Sequence, residues 1–94
     1  MRVDQLNFHH LFYFWRVAKL GHLTRAAREL HTSQSAVSAQ IRQLEDRIGE
    51  ALFARAGRRL VLTDTGQLVL AYADNIFGLG QEMLGRLQGR TAGI

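Results

Sequence analysis

The chain has 94 residues, of which 47% are hydrophobic, and a formal net charge of +4 at pH 7. This length allows one small domain with a modest core, and the composition is typical of a folded chain. The absence of cysteine excludes a disulfide framework and a thiolate metal site. The longest apolar runs, residues 11–15 and 68–73, are far shorter than the ~18 residues of a membrane span, and residues 1–10 lack the layout of a signal peptide. We therefore expect a cytoplasmic protein with no membrane partner.

The basic residues are concentrated in the first two thirds of the chain. Residues 1–62 contain ten basic and five acidic side chains, whereas residues 63–94 contain two and three. Eleven of the twelve basic residues are arginine, whose planar guanidinium group can donate two hydrogen bonds to one anion. This distribution favours a phosphate-bearing partner for the first part of the chain.

Apolar residues at helical spacing predict a first helix over residues 7–20, ended by Gly21. One face of this helix is aromatic, and we expect it to pack against the following helices in the core. The residues of that face are Phe8, Phe12 and Trp15. A second apolar strip, formed by Phe14 and Val17, is left over and is available to a partner chain.

Residues 23–44 predict two short helices joined by a tight polar turn. The first helix has one apolar face with two adjacent alanines, which allow a close helix crossing. That face consists of Leu23, Ala26, Ala27 and Leu30. Thr32 or Ser33 in the turn is suited to cap the second helix.

The second of these helices has two different faces. Its apolar stripe consists of Val37, Ile41, Leu44 and Ile48. The opposite side carries Ser35, Ser38, Ala39, Arg42 and Asp46. Short polar side chains and one arginine suit close approach to a grooved partner better than a solvated surface, so the pair of helices indicates a helix-turn-helix.

A change of period over residues 52–63 predicts a short β-hairpin that turns at Gly57. Three arginines, Arg55, Arg58 and Arg59, cluster around its tip. In isolation such a hairpin is more often a solvated charged turn. Beside a helix-turn-helix it is typical of a wing, whose arginines follow the DNA backbone or enter the minor groove.

A long helix is predicted from Thr63 or Thr65, either of which can cap it, to about residue 88. An apolar stripe runs along this helix at spacings of three and four residues. Its members are Leu68, Tyr72, Ile76, Leu79, Met83 and Leu87. Because so small a domain cannot easily cover a helix of this length, we interpret it as a dimerisation helix. The alternative is a helix that is wholly absorbed into the core of its own chain.

These motifs occur in the order of a known family. AA lies in the first helix of the pair, SQ…AVS…IR-x-LE in the second, LF-x-R-x-x-R in the hairpin, and LT-x-x-G at the start of the long helix. Residues 6–90 thereby resemble the DNA-binding region of LysR-type transcriptional regulators. HLFYFW near the start and YADNIF-x-L-x-QEML in the last helix resemble, more narrowly, the branch of the family that regulates sodium/proton antiporters.

The resemblance implies a mainly α fold, a winged helix-turn-helix followed by a long linker and dimerisation helix. Residues 1–62 correspond to the winged domain, 63–90 to the linker helix and 91–94 to a tail or the start of a hinge. The family adds a C-terminal domain of two α/β lobes that binds a small-molecule or ion effector. No hinge rich in proline and glycine and no α/β pattern follows here, which favours a DNA-binding fragment of a homodimeric regulator over an unusually short protein. We expect no cofactor in this part.

The resemblance also implies which residues contact double-stranded DNA. Base edges are assigned to Ser33, Gln34, Ser35 and Ser38, phosphates to Arg42, Thr24, Arg25 and either Thr63 or Thr65, and the wing contacts to Arg55 and Arg58. Two positions depart from the family pattern, which often has proline where Ser35 stands and arginine where Ala39 stands. The DNA site that this chain reads is therefore expected to differ from the usual one.

Three other functions compete with specific DNA binding. An enzyme is disfavoured because the sequence contains no Ser/His/Asp set, paired carboxylates or phosphate-cradling loop at the spacing that catalysis requires. The spacing of the four histidines is also not that of metal ligands; these are His9, His10, His22 and His31. A helical protein-interaction module leaves the basic hairpin unexplained. A nonspecific architectural DNA binder would show salt-sensitive binding without sequence preference.

Overall fold

Four α-helices and one β-hairpin form the part of the chain that a computed structural model describes, residues 1–57 and 59–92, with side chains up to residue 89. The hairpin strands pair in antiparallel fashion, with Phe53 opposite Leu62 and Ala56 opposite Arg59. In chain order the elements are a 3₁₀ turn (Val3–Gln5), α1 (Phe8–Leu20), α2 (Leu23–Glu29), α3 (Gln34–Ile48), β1 (Phe53–Ala56), β2 (Arg59–Leu62) and α4 (Asp64–Ala92). The predicted helix-turn-helix, hairpin and long helix are all present.

The helix ends follow from the capping residues in the sequence. The side chain of Asn7 accepts hydrogen bonds from the backbone amides of His9 and His10, which fixes the start of α1. Gly21 and Gly49 end α1 and α3 with φ angles of 73° and 88°, in the left-handed region that favours glycine. The predicted end of α1 at Gly21 is confirmed, and α3 ends in the same way.

The core uses a different face of α1 from the one predicted. Phe14 and Val17, the strip expected to be left over, are 0% and 1% exposed. Phe8 is 57% exposed, while Phe12 and Trp15 are only half-buried. Packing of the aromatic face against a following helix is confirmed, since Phe8, Phe12 and Trp15 all contact Phe77 of α4. The expectation that Phe14 and Val17 are left over is wrong, because α1 packs against α2 and α3 on that side and buries it fully.

Aromatic contacts join α1 to α4. The ring of Phe77 lies 4.9 Å from Trp15 and 5.5 Å from Phe12, measured between centroids. The indole Nε1 of Trp15 donates a hydrogen bond of 2.7 Å to the Asp74 carboxylate, which also lies 3.3 Å from the Lys19 ammonium group. Asp74 therefore joins the two helices by a polar contact at the edge of the aromatic cluster.

This contact predicts a pH-dependent contribution to stability. The Trp15 hydrogen bond, and secondarily Lys19, lowers the pKa of Asp74 from its ordinary 3.8. Since the folded pKa is below the unfolded one, the stabilisation is present above the unfolded pKa and is lost as the pH falls through the folded value. Asp74→Asn should therefore unfold at a lower temperature than wild type at about pH 7. The difference between the two melting temperatures should shrink as the pH falls below 3.8 and through the lowered pKa of Asp74, and a difference of unchanged size over that fall would contradict the prediction.

The hairpin is tied closely to the start of α4. The backbone amide of Thr63 donates to the Leu52 carbonyl at 3.0 Å, and its hydroxyl donates to the Ala51 carbonyl at 2.7 Å. The same hydroxyl accepts from the Gly66 amide at 2.9 Å, so Thr63, one of the two predicted caps, is the N-cap of α4. Gly66 lies directly against the Leu52 carbonyl, which leaves no room for a β carbon.

The long helix is divided lengthwise into two apolar faces. One face packs against the domain and consists of Val69, Leu70, Ala73, Ile76 and Phe77. The other is exposed to solvent and consists of Leu68, Tyr72, Leu79 and Met83, while Leu84 and Leu87, further along the helix, are exposed as well. Complete absorption of α4 into its own core is therefore wrong. Ile76, placed in the dimerisation stripe by its spacing, packs against the core of its own chain. The helix also continues to Ala92, beyond the predicted end near residue 88, so residues 91 and 92, which were assigned to a tail or hinge, are helical.

Candidate nucleic-acid interface

The turn between α2 and α3 is set by backbone hydrogen bonds. His31 has a φ of 57°, the left-handed region, and its amide donates to the Arg28 carbonyl. The amide of Thr32 donates to the carbonyl of Ala27 at 3.0 Å. Ser33 then caps α3 by accepting from the amide of Ala36 at 3.1 Å. With Ala26 and Ala27 buried, as predicted, the two helices cross closely.

The outer face of α3 is polar and open to solvent. Ser38 is half-buried, and Ala39 adds no long side chain to this face. The hydroxyls of Ser33 and Ser35 are hydrogen-bonded to each other at 3.1 Å. The predicted contact residues of this face that are exposed are Ser33, Gln34, Ser35 and Arg42. Thr24 and Arg25, near the start of α2, are exposed as well.

A hydrogen bond joins α2 to the start of α3. The Nε2 of Gln34 donates to the Oγ1 of Thr24 at 2.7 Å. Both side chains are exposed, so this contact lies on the surface that the helix-turn-helix presents. In this contact the Nε2 of the Gln34 carboxamide is turned toward α2.

A carboxylate from α3 holds the hairpin in place. The Oε2 of Glu45 accepts from the backbone amides of Leu52 and Phe53 at 2.7 and 3.3 Å. The sequence pattern gave no indication of this role, because it depends on a side chain that reaches a strand in another element. The consequence is a fixed spacing between α3 and the hairpin.

The hairpin and α3 enclose an open groove of about 670 Å³. The hairpin contributes Arg55 and Arg59, and α3 contributes Gln34, Ser38 and Arg42. The groove therefore brings amide, hydroxyl and guanidinium groups from two elements onto one surface. Such a set can hydrogen-bond to base edges and neutralise phosphates.

The predicted wing and cap residues are not all placed where they can contact DNA. Arg59, which was left out of the predicted contacts, lines the groove together with Arg55. Arg58 lies outside the described residues. The single hydroxyl proton of Thr63 is given to the Ala51 carbonyl, so its side chain cannot also donate to phosphate. Thr65 is half-buried at the first turn of α4.

Sites of two other kinds are absent from the described ranges. No cluster of three or more histidine, cysteine, aspartate or glutamate residues is arranged to hold a metal ion among residues 1–57 and 59–92. In the same part of the chain, no helix combines the length and apolar character needed to cross a membrane.

A family model described as "Bacterial regulatory helix-turn-helix protein, lysR family" matches residues 8–67. The chain belongs to this family. The match contains α1, the helix-turn-helix, the hairpin and the first turn of α4, so the expected family is confirmed.

Curated relatives agree with this assignment. The transcriptional activator protein NhaR of Escherichia coli is 44% identical over 84 residues, which are 89% of this chain and 28% of NhaR. The HTH-type transcriptional regulator PtxR of Pseudomonas aeruginosa is 40% identical over 93 residues, which are 99% of this chain and 28% of PtxR. The chain thus spans less than a third of the length of these relatives.

A solved structure shares the architecture of this LysR-family chain. The crystal structure of the BenM_DBD/catB site 1 DNA complex superposes with a TM-score of 0.83 at 28% identity. The superposition covers 95% of this chain and 99% of the BenM chain. The predicted fold, a mainly α winged helix-turn-helix followed by a long helix, is confirmed.

Proposed function

We propose that this chain is the DNA-binding part of a transcriptional regulator and that it binds a specific double-stranded DNA sequence as a homodimer. The proposal rests above all on the shared groove, in which Gln34 and Arg42 of α3 face Arg55 and Arg59 of the hairpin. An α-helix fits the major groove of B-DNA, and a basic hairpin beside it reaches the adjacent backbone or minor groove. A catalytic role has no support in this arrangement.

The contact residues divide into two groups by their chemistry. Short polar side chains and a carboxamide suit base edges, and these are Ser33, Gln34, Ser35 and Ser38. Residues suited to phosphates are Thr24, Arg25, Arg42, Arg55, Arg59 and Thr65, to which the sequence adds Arg58. We assign Thr63 to the anchoring of α4 instead, because its hydroxyl is fully used there.

The homodimer is proposed from the exposed apolar face of α4. Leu68, Tyr72 and Leu79 are 60%, 63% and 65% exposed, and burying such side chains against a second copy is favourable. A two-fold dimer places two recognition helices on successive half-sites. Residues 1–62 then form the winged domain and residues 63–90 the linker helix.

Several further properties follow from this assignment. The relatives are more than three times longer than this chain, and we propose that a separate domain carries the response to a small-molecule or ion effector. We also propose that the protein acts in the bacterial cytoplasm, where such a DNA target lies. The BenM structure was solved with DNA, which supports the same partner here.

The proposal is tested by selecting bound duplexes from a random pool at near-physiological salt. An enriched, interrupted inverted repeat is the expected result, since two-fold symmetry in the protein is mirrored in its site. Retention of DNA without a common sequence would overturn sequence-specific binding and would indicate an architectural DNA binder. Failure to retain any DNA would overturn DNA binding altogether.

Two substitutions separate base reading from phosphate binding. Gln34→Ala should relax the sequence preference at one base position by about 1–3 kcal/mol. Arg42→Ala should weaken binding to all sequences alike and reduce the salt dependence by about one unit in slope. Titrations of both variants against the selected duplex and its single-base variants, at several salt concentrations, measure these effects. If both substitutions reduced discrimination equally, this assignment of roles would be wrong.

A further inference from the structure

The hydrogen bond between Thr24 and Gln34 has a consequence for which base the site reads. Gln34 is the first residue of α3 and Thr24 the second residue of α2, and the donor is the Nε2 of Gln34, 2.7 Å from the Thr24 Oγ1. A carboxamide has two N–H donors on nitrogen and an oxygen that only accepts. Once one N–H is given to Thr24, one N–H and the Oε1 remain for a base.

The remaining pair of groups matches adenine. In the major groove, adenine presents the N7 acceptor beside the N6 amino donor, whereas guanine presents two acceptors, N7 and O6. One donor and one acceptor on the amide edge therefore pair with adenine. The reversed amide, with Oε1 turned to the Thr24 hydroxyl, would leave both N–H groups free and would suit guanine instead.

We propose that Thr24 is a positioning residue that orients the Gln34 carboxamide so that Gln34 reads adenine and rejects guanine. This inference rests on the proposed function of α3 as the recognition helix. It assigns Thr24 a part in sequence discrimination, in addition to the backbone contact expected from its place near the start of α2.

The two parts played by Thr24 are compatible. Its Oγ1 accepts from Gln34, so its own hydroxyl proton is free to be donated elsewhere. A DNA phosphate beside the start of α2 is a suitable acceptor. A chain of hydrogen bonds then runs from the phosphate through Thr24 and Gln34 to the base. Binding of the protein to the DNA backbone thereby holds the Gln34 carboxamide in the orientation that pairs with adenine.

Four proteins test the inference: Thr24→Val, Thr24→Ser, Gln34→Ala and the double variant Thr24→Val/Gln34→Ala. Valine keeps the shape and β-branching of threonine and removes only the hydroxyl, while serine keeps the hydroxyl. Each protein is titrated against the duplex selected by wild type and against versions in which every base pair is changed singly. The quantity compared is the adenine-over-guanine ratio, defined as the Kd for the guanine duplex divided by the Kd for the adenine duplex, at the position where Gln34→Ala loses discrimination.

The expected result is a loss of discrimination that depends on Gln34. Thr24→Val should reduce the adenine-over-guanine ratio about five-fold, the worth of one neutral hydrogen bond. Thr24→Ser should keep that ratio within about two-fold of wild type. In the double variant, Thr24→Val should cause no loss beyond that of Gln34→Ala, because both act on one contact.

Three outcomes would overturn the inference, and they differ from failure of the proposed function. Thr24→Val could weaken every duplex by the same factor, which would leave Thr24 with a phosphate contact only. Wild type could select guanine at the Gln34 position, or the two losses could add in the double variant. A wild type that enriches no sequence would instead overturn the proposed function itself.

A measurement without DNA completes the test. The side-chain amide protons of Gln34 in the free protein should show slowed exchange with solvent in wild type and in Thr24→Ser. In Thr24→Val they should exchange as fast as those of Gln81, an exposed glutamine on α4. Equal exchange in wild type and Thr24→Val would overturn the preorientation of Gln34. Because Thr24 is exposed, neither variant is expected to unfold the domain.

Discussion

Replacing Gly66 by alanine should destabilise the folded domain by about 1–3 kcal/mol, the usual cost of overpacking a close contact. A β carbon at this position would overlap the carbonyl group of Leu52 and press on the Leu62 side chain. A backbone carbonyl cannot rotate away as a flexible side chain can, and this one also accepts the hydrogen bond from the Thr63 amide. Relieving the overlap therefore requires α4 to move away from the hairpin. The gain of ~1 kcal/mol in helix propensity from glycine to alanine is too small to offset this.

Gly85→Ala is the matched control, because the same change on the same helix meets nothing within 4 Å. That variant should be as stable as wild type or more stable by up to ~1 kcal/mol. Urea unfolding at one fixed protein concentration measures both effects, since the stability of a dimer depends on concentration. Equal stability of the two variants would show that α4 can shift at its start without cost.

Local patterns in the sequence were sufficient for most of the fold. Asn7, Ser33 and Thr63 are each followed by a helix that their side chains cap, and Gly21 and Gly49 end helices in the conformation that glycine favours. These signals act within four residues of one another, so they are visible without knowledge of the tertiary structure.

The sequence was less informative where two elements meet. Phe8 and Phe14 are both aromatic residues on α1, yet Phe14 is completely buried and Phe8 is 57% exposed. Periodicity identifies apolar faces but not the number of elements that cover each face. Similarly, a glycine within a helix indicates by itself only a weaker helix, whereas the close approach of Gly66 to Leu52 depends on how α4 meets the hairpin.

The same limit applies to the candidate interface. The polar face of α3 follows from helical spacing, and its exposure agrees with that prediction. The place of Arg59 in the groove depends on the position of the hairpin, which the Glu45 carboxylate holds through the Leu52 and Phe53 amides. The contact between Thr24 and Gln34 spans ten residues and two helices. No local pattern encodes any of these three features.

Leu79→Lys should convert the proposed dimer into a monomer and weaken binding to the selected inverted repeat by about 100- to 10,000-fold. Leu79 is 65% exposed in the single chain, so the lysine costs the folded monomer little. In the dimer the two-fold axis repeats the change on both copies, and each loses the burial of a leucine, worth about 2–3 kcal/mol. A monomer that binds one half-site loses the high effective concentration that links the two half-sites. Sedimentation and titration of the duplex measure the two consequences separately.

Gln81→Lys is the control for the added charge, because Gln81 is exposed on α4 and lies outside the apolar stripe. This variant should remain dimeric, and its affinity for DNA should change little at near-physiological salt, where exposed charges more than ~8–10 Å away are screened. Affinity for a single half-site should be alike in both variants and wild type, since neither change touches α3 or the hairpin. A Leu79→Lys protein that stays dimeric would exclude this face of α4 as the interface. If it became monomeric but bound the inverted repeat normally, dimerisation and DNA affinity would be uncoupled, contrary to the two-half-site arrangement proposed for this chain.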